Sequence, residues 1–168
     1  MASGRGKASG KLIRAALRSL RKTKKRRRGN PDAVPTRRAA PPRQASHAAR
    51  READRAQAGG RTNGTAEAVT TADGRHTVST QSGAGYPLHR RVEGTINTMP
   101  PGQRADWHGE CALPQALSRM LDRGIDPTGG AVGSARIRAP GHRMHGTQIP
   151  PCPSCAPLMR EFNLREAM

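Results

Sequence analysis

Two segments of this 168-residue chain carry the residue types that bind metal ions. They are WHGECALPQAL at 107–117 and PPCPSCAPLM at 150–159. Cys152 and Cys155 are three residues apart, so both sulfurs can reach one cation, and thiolates are preferred zinc ligands. Cys111 or His108 in the first segment would supply a third ligand. Three protein ligands with one position left for water are typical of a catalytic zinc site, so the sequence predicts Zn²⁺ bound between the two segments.

The same residues permit a structural zinc site or a redox pair. The chain has three cysteines, an odd number, so they cannot all be paired in disulfides. A structural zinc site needs a fourth protein ligand, and His142 and His145 lie shortly before the second segment. A redox pair formed by Cys-x-x-Cys alone would leave the first segment unexplained. The catalytic site is favoured, and the structural site stays open as the alternative.

The elements around these segments are predicted to alternate between strands and helices. The dipeptide Asp73-Gly74 is a strong turn signal between two runs of strand-like composition, 68–71 and 76–80. A further strand is predicted over 132–138, which is bounded by glycine and proline. The expected fold class is α/β, with helices packed on a sheet.

Each metal-binding segment is predicted to begin a helix. Apolar residues recur at helical spacing from Leu113 onwards, and Gly124 provides a stop. Proline is tolerated only in the first turn of a helix, so Pro114 places the start near Cys111. A second, shorter helix is predicted to begin at Cys152.

The basic charge of the chain is concentrated in its first third. Residues 1–62 contain 19 Lys and Arg against 3 acids, whereas residues 63–168 contain 11 against 9. Between residues 30 and 63 there is one valine and no leucine, isoleucine or aromatic residue, so little apolar surface offsets the entropy of ordering. We therefore predict a largely disordered basic arm over 1–62, with room for one short helix at 11–28, and a domain over 63–168 that stays folded without the arm.

The order His-x-Glu followed by Pro-Cys-x-x-Cys resembles the signature of zinc-dependent deaminases of nucleotides and nucleic acids. The wider sequence, WHGECALPQALSRMLDRGID followed by a strand and HGTQIPPCPSCAPLMREFN, is similar to the YwqJ-type deaminases of bacterial polymorphic toxin systems over about 99–164. The resemblance implies a cytidine deaminase-like fold, hydrolysis of an amino group on a nucleobase, nucleoside or nucleic acid, and an immunity protein as partner. It also implies that Cys111 binds the zinc together with Cys152 and Cys155.

The chain departs from that family at the position of the proton carrier. The family has a glutamate two residues after its first zinc-binding cysteine, and this chain has Leu113 there. Glu110 is the nearby carboxylate, and residues three apart lie on adjacent parts of one helix face. If His108 rather than Cys111 bound the zinc, Glu110 would occupy the usual position of the proton carrier. Glu110 is therefore the catalytic residue predicted from the sequence.

Trp107 and His145 are the candidate substrate-binding residues. Trp107 would either pack inside a domain with three aromatic residues or stack on a nucleobase near the zinc. His145 would either belong to a tight turn or contact the substrate.

The sequence favours two functions of different classes. The first is a toxin-related domain that deaminates a nucleobase-containing substrate with zinc. The second is a non-catalytic zinc module whose basic arm binds nucleic acid or an acidic partner, and Leu113 favours it. The chain shows no clear signal peptide and no apolar run that could span a bilayer. The expected location is the cytoplasm or, for a delivered toxin, the target cell.

Overall fold

The computed structural model describes residues 40–167 of the chain. Its helices and strands in chain order are α1 (Pro41–Ala58), β1 (Asn63–Thr70), β2 (Thr77–Gln81), α2 (Arg90–Ile96), α3 (Ala112–Leu121), β3 (Ala131–Arg138), α4 (Ala156–Glu161) and β4 (Arg165–Glu166). Short 3₁₀ turns are present at Pro101–Gln103 and Pro153–Cys155. No helix within these residues is long and apolar enough to cross a membrane. The expected α/β fold class is confirmed.

A mixed four-stranded sheet lies at the centre of the described fold, in the order β2-β1-β3-β4. β1 pairs antiparallel with both β2 and β3, and β3 pairs parallel with the short β4. The register places Glu67 opposite Ser134 and Val69 opposite Val132. Because side chains alternate between the two faces of a strand, these four residues share one face of the sheet.

The predicted β-hairpin is confirmed. The N–H of Thr71 donates to the carbonyl of His76 at 2.9 Å, and Gly74 takes a positive φ of 69° within the turn. Asp73 Oδ1 accepts hydrogen bonds from Thr71 Oγ1 at 2.6 Å and from the Arg75 N–H at 2.9 Å. The aspartate and the glycine therefore stabilise the connection between β1 and β2 in the way that turn-forming residues do.

Helix α1 covers one face of the sheet, so the predicted disorder is wrong for this part of the arm. Its buried residues are Ala45, Ala48, Ala49, Ala53 and Ala56. They pack against sheet residues that include Ala66, Ala68, Ala135 and Ile137. The prediction failed because it counted only large apolar side chains. Alanine has the highest helix propensity, and its small side chain lets a helix lie close to a sheet.

The predicted boundary between arm and domain therefore changes. A cut after residue 62 would remove α1 and expose the sheet face that it covers. That residues 63–168 stay folded without the arm stays a prediction, and the loss of the α1 contacts opposes it. The rest of the predicted arm, with its helix at 11–28, lies outside the described residues.

Gly133 of β3 permits the close approach of α1. A Cβ atom at this position would fall far inside van der Waals distance of the backbone of Ala45 and Ser46. The helix begins with Pro41 and Pro42, in the first turn where the missing N–H groups cost nothing. The helix backbone and the strand backbone are thus in direct contact over Gly133.

The opposite face of the sheet packs against α2, α3 and α4 in the main apolar core. Its largest fully buried members are Val69, Val92, Leu113, Leu117, Met120, Val132, Leu158 and Phe162. The two helices that carry the cysteine segments are therefore fixed against the same face of the sheet that holds Glu67.

The predicted starts of these two helices are confirmed. α3 begins at Ala112 with Cys111 as its N-cap residue, and Gly124 follows the helix with a positive φ of 67°. The second helix begins as the 3₁₀ turn after Cys152 and continues as α4. The strand predicted over 132–138 is also confirmed, as β3.

Candidate metal centre

A tight turn before α3 presents Cys111. Gly109 has a positive φ of 87°, and the N–H of Glu110 donates to the carbonyl of Trp107 at 3.0 Å. The carbonyl of Glu110 accepts a hydrogen bond from the N–H of Gly83 at 2.9 Å, just beyond β2. Cys111 follows as a buried residue at the start of α3. These backbone contacts fix Cys111 against the sheet.

The 3₁₀ turn Pro153–Cys155 presents the other two cysteines. The N–H of Cys155 donates to the carbonyl of Cys152 at 2.9 Å. Cys155 is buried in the main core, whereas Cys152 is half-buried. Ser154 Oγ accepts a hydrogen bond from the N–H of Ala105 at 3.1 Å, which ties this turn to the loop before α3. The two cysteine segments are thereby held side by side.

The three sulfur atoms form one cluster. The Sγ of Cys152 lies 3.0 Å from that of Cys111 and 3.4 Å from that of Cys155. All three lie within 4.8 Å of one another, and no histidine nitrogen or carboxylate oxygen of residues 40–167 belongs to this group. Zinc held by thiolates at about 2.3 Å keeps tetrahedral sulfurs about 3.8 Å apart, so the cluster fits such an ion with small movements. These residues can hold a metal ion and leave one coordination position free.

The three thiols hold their protons unequally. Hydrogen bonds from Cys111 and Cys155 lower the pKa of Cys152 to about 3. The hydrogen bond to Cys152 raises the pKa of Cys111 to about 12. Hydrogen bonds to the other two sulfurs, together with burial, raise the pKa of Cys155. A divalent cation bound by these three sulfurs would displace their thiol protons.

A cavity of about 470 Å³ opens beside Cys111 and Cys152. Its wall also includes Trp107, Glu110 and the β1 residue Glu67. Cavities of a few hundred cubic ångströms hold small-molecule ligands in many proteins. The sulfur cluster therefore borders a space that a molecule the size of a nucleobase can enter.

Glu67 is the site residue that the sequence analysis missed. It is 4% exposed, and Ser134 Oγ donates to its Oε1 at 3.1 Å. Burial raises the pKa of Glu67 to about 7, the negative charge of Cys152 adds to the rise, and hydrogen bonds from Ser134 and the Leu113 N–H oppose it. Its Oε2 is buried without a hydrogen-bond partner in residues 40–167. The sequence did carry a signal, since Glu67 shares a strand face with the apolar Val69.

Leu113 and Glu110 have very different surroundings. Leu113 is 0% exposed and belongs to the main apolar core. The side chain at the position where the YwqJ-type deaminases carry glutamate therefore contributes only apolar packing here. Glu110 is exposed on the cavity wall, and its carboxylate forms no ion pair with any residue of 40–167.

Histidine does not join the sulfur cluster. Both ring nitrogens of His108 are buried without a hydrogen-bond partner in the described part of the chain, and neither belongs to the group of potential ligand atoms. His142 accepts a hydrogen bond from the N–H of Met144 at 3.1 Å and is also absent from that group. The structure thus favours Cys111 over His108 as the third ligand and supplies no fourth ligand from residues 40–167.

The two candidate substrate-binding residues lie in different places. Trp107 is 55% exposed and lines the cavity, so its interpretation as a core residue is wrong. His145 is not on the cavity wall. Its Nε2 lies 3.1 Å from Asp54 Oδ1, and its Nδ1 accepts from the N–H of Arg138 at 3.2 Å. His145 therefore links α1 to β3, and contact between Trp107 and a substrate stays a prediction.

Comparison of the chain with family models, curated proteins and solved structures gives no match. The fold and the site define an α/β protein with a three-cysteine group that can hold a metal ion.

Proposed function

We propose that the chain is a zinc-dependent hydrolytic deaminase that acts on the amino group of a nucleobase, free or within a nucleoside or nucleic acid. The observation that carries the proposal is the three-sulfur cluster at the cavity, with no fourth protein ligand from residues 40–167. Catalytic zinc sites leave that position to water, whereas structural sites fill it with a side chain. The resemblance to the YwqJ-type deaminases supports the reaction class, a toxin context and an immunity protein as partner.

The three cysteines are suited to hold zinc beside the cavity. Thiolates favour zinc over harder cations such as magnesium or calcium. Cys111 and Cys155 are part of the main core, so the surrounding packing restricts their movement. Zinc bound there would lower the pKa of a water molecule in the cavity to near neutrality.

Trp107 and Arg138 would orient a substrate that contains a nucleobase. Both line the cavity, and nucleobases stack on exposed aromatic rings. Arg138 Nη1 donates to Asn63 Oδ1 at 2.8 Å. The remaining guanidinium N–H groups can bind a phosphate or a base carbonyl.

Deamination of such a base requires a proton carrier in the same cavity. The water oxygen bonds to the carbon that bears the amino group, while one water proton goes to the neighbouring ring nitrogen. The second proton leaves with ammonia as the carbon–nitrogen bond breaks. A carboxylate can move these protons, and Glu110 and Glu67 both line the cavity.

Release of ammonia from cytosine, cytidine, adenosine, and single-stranded DNA and RNA tests the proposal. The zinc-loaded chain is expected to release ammonia from at least one of them, and a chelator should abolish the release. Cys111→Ser provides a matched control, because it removes one of the three sulfurs and should lower metal content and activity together. No ammonia from any substrate, from protein that holds one zinc per chain, would contradict the proposal.

A second candidate function is a zinc-stabilised module that binds nucleic acid without catalysis. The observation that favours it is a groove of about 690 Å³ along α1, whose wall includes Arg43, His47, Arg50 and Arg51. None of the three arginines forms an ion pair within residues 40–167. Unpaired arginines along one helix are suited to contact the phosphates of a nucleic acid.

Oligonucleotide binding at several salt concentrations tests this second function. Arg50→Gln combined with Arg51→Gln is expected to weaken binding of a single-stranded oligonucleotide. The slope of log K against log salt should become shallower by about 0.7 for each phosphate that the variant no longer neutralises. Arg75→Gln is the matched control, because Arg75 is exposed in the hairpin turn outside the groove. If the double variant and the control bind alike in fluorescence anisotropy, α1 does not bind nucleic acid.

A further inference from the structure

We propose that Glu67, on strand β1, is the proton carrier of this centre, an assignment that rests on the proposed deaminase function. It replaces Glu110, the residue predicted from the sequence. The assignment follows from the burial of Glu67, from its place on the cavity wall and from the groups that surround its two carboxylate oxygens.

Glu67 is a buried carboxylate without a cationic partner among residues 40–167. Ser134 Oγ binds Oε1 at 3.1 Å, and Oε2 has no hydrogen-bond partner there. No arginine, lysine or histidine of these residues forms an ion pair with it. A buried, unpaired carboxylate is costly, and an apolar residue would serve packing better on this face, beside Val69 and opposite Ser134. The position of Glu67 is therefore explained by chemistry at the cavity rather than by stability.

Glu67 lies near the metal cluster without belonging to it. It lines the same cavity as Cys111 and Cys152. Its oxygens are not in the group of ligand atoms that lie within 4.8 Å of one another. Glu67 is thus not a fourth ligand, and the free coordination position stays available to water. A carboxylate on that wall can exchange a proton with such a water and with a substrate.

The N-terminus of α3 provides the environment that such a carboxylate needs. The backbone N–H of Leu113 acts on the Glu67 carboxylate and opposes the rise in its pKa. This N–H belongs to the first turn of a ten-residue helix, where backbone donors have no partner within the helix and favour an anion. Position 113 therefore serves the site through its backbone while its side chain packs in the core. The carboxylate is supplied by the neighbouring strand.

The proton steps balance with Glu67 as the only carrier. The ionised carboxylate takes a proton from water as the water oxygen bonds to the amino-bearing carbon. It delivers this proton to the ring nitrogen, takes the remaining hydroxyl proton, and gives it to the departing nitrogen as the carbon–nitrogen bond breaks. Water and the amino base thus become the keto base and ammonia, and Glu67 returns to its ionised form.

Glu110 is less suited than Glu67 to carry the proton. Its side chain is exposed, and the contacts that hold the residue are made by its backbone, through the carbonyl to Gly83 and the N–H to Trp107. An exposed carboxylate that no ion pair holds has no fixed geometry toward a reacting atom, whereas proton transfer depends on such a geometry.

Glu67→Gln and the matched variant Glu110→Gln test the assignment on the full chain loaded with zinc. Glutamine has nearly the same shape and cannot accept the proton, so Glu67→Gln should keep one zinc per chain and lose about 10²–10⁴-fold in kcat. Glu110→Gln should keep more of the native kcat than Glu67→Gln does. Glu67→Asp keeps a carboxylate and should retain more activity than Glu67→Gln. A large loss in Glu110→Gln with none in Glu67→Gln would overturn the assignment.

A second readout does not depend on turnover. In the cobalt-loaded chain, the visible absorption reports the surroundings of the metal as the pH is varied. Removal of a neighbouring negative charge should move the midpoint of the pH-dependent change to lower pH by about one unit in Glu67→Gln, and not in Glu110→Gln. An unchanged midpoint in Glu67→Gln would overturn the assignment. If the native chain is inactive on every substrate, the deaminase proposal fails, and the cobalt midpoint alone still decides whether Glu67 interacts with the metal centre.

Discussion

Cys152→Ser and Cys155→Ser are each expected to abolish stoichiometric zinc binding and to destabilise the folded chain. Each removes one of the three sulfurs in the cluster, and serine is a much poorer zinc ligand than thiolate. The cluster also joins the start of α3 to the turn before α4, which are about 40 residues apart in sequence. Metal held a thousandfold above its dissociation constant stabilises a fold by about 4 kcal/mol, so each variant should lose stability of that order.

Metal analysis and thermal unfolding check this result together. The native chain treated with a chelator is the matched reference, because it lacks the ion and keeps all three thiols. The unfolding temperature of both variants should be close to that of the chelator-treated native chain, and added zinc should not change it. Full zinc content in both variants would show that the three cysteines do not form the metal site.

Gly133→Val is the substitution expected to have the largest effect on the fold away from the cysteines. The new Cβ would collide with the backbone of Ala45 and Ser46, and a helix backbone cannot give way as a flexible side chain can. We expect a loss of about 3 kcal/mol or more in the free energy of unfolding. Valine favours strands over glycine, so strand propensity alone would predict the opposite sign.

Gly94→Ala is the matched control for Gly133→Val. Gly94 lies in α2, and a Cβ at this position meets nothing within 4 Å. Alanine in place of an exposed helical glycine should raise the free energy of unfolding by about 0.5–1 kcal/mol. Urea unfolding measures both changes. A Gly133→Val chain as stable as the native one would mean that α1 is not packed on the sheet over this glycine.

The helix that Gly133 contacts shows where hydrophobic patterning fails as a guide to the fold. Patterning correctly predicted the hairpin at Asp73-Gly74 and the start of α3 near Cys111, because turn residues and Pro114 act locally. It failed for α1, whose buried side is made of alanine alone. The contribution of a small side chain depends on how closely a partner backbone approaches, and a sequence window does not contain that distance.

The candidate site was also predictable from the sequence only where it depends on local features of the chain. The proximity of the three sulfurs was predictable, since ligand types and spacing are local properties of two segments. Glu67 was not predicted, because it lies more than 40 residues before Cys111 in sequence and reaches the cavity through strand pairing. Of the two interpretations of Trp107, core packing rests on the usual burial of large aromatic side chains, whereas here Trp107 lies before the tight turn at Gly109 and lines the cavity.

The short distances between the sulfurs also determine whether metal binding has to precede thiol oxidation. The sulfurs of Cys111 and Cys152 are 3.0 Å apart, and none of the three cysteines is in a disulfide. An oxidant would join two neighbouring thiols in a disulfide and leave the third cysteine unpaired. A three-sulfur metal site could then no longer form. Zinc-bound thiolates are shielded from that reaction by the ion itself. A metal ion would therefore have to bind under reducing conditions, before two of the thiols are oxidised, for a three-sulfur centre to form.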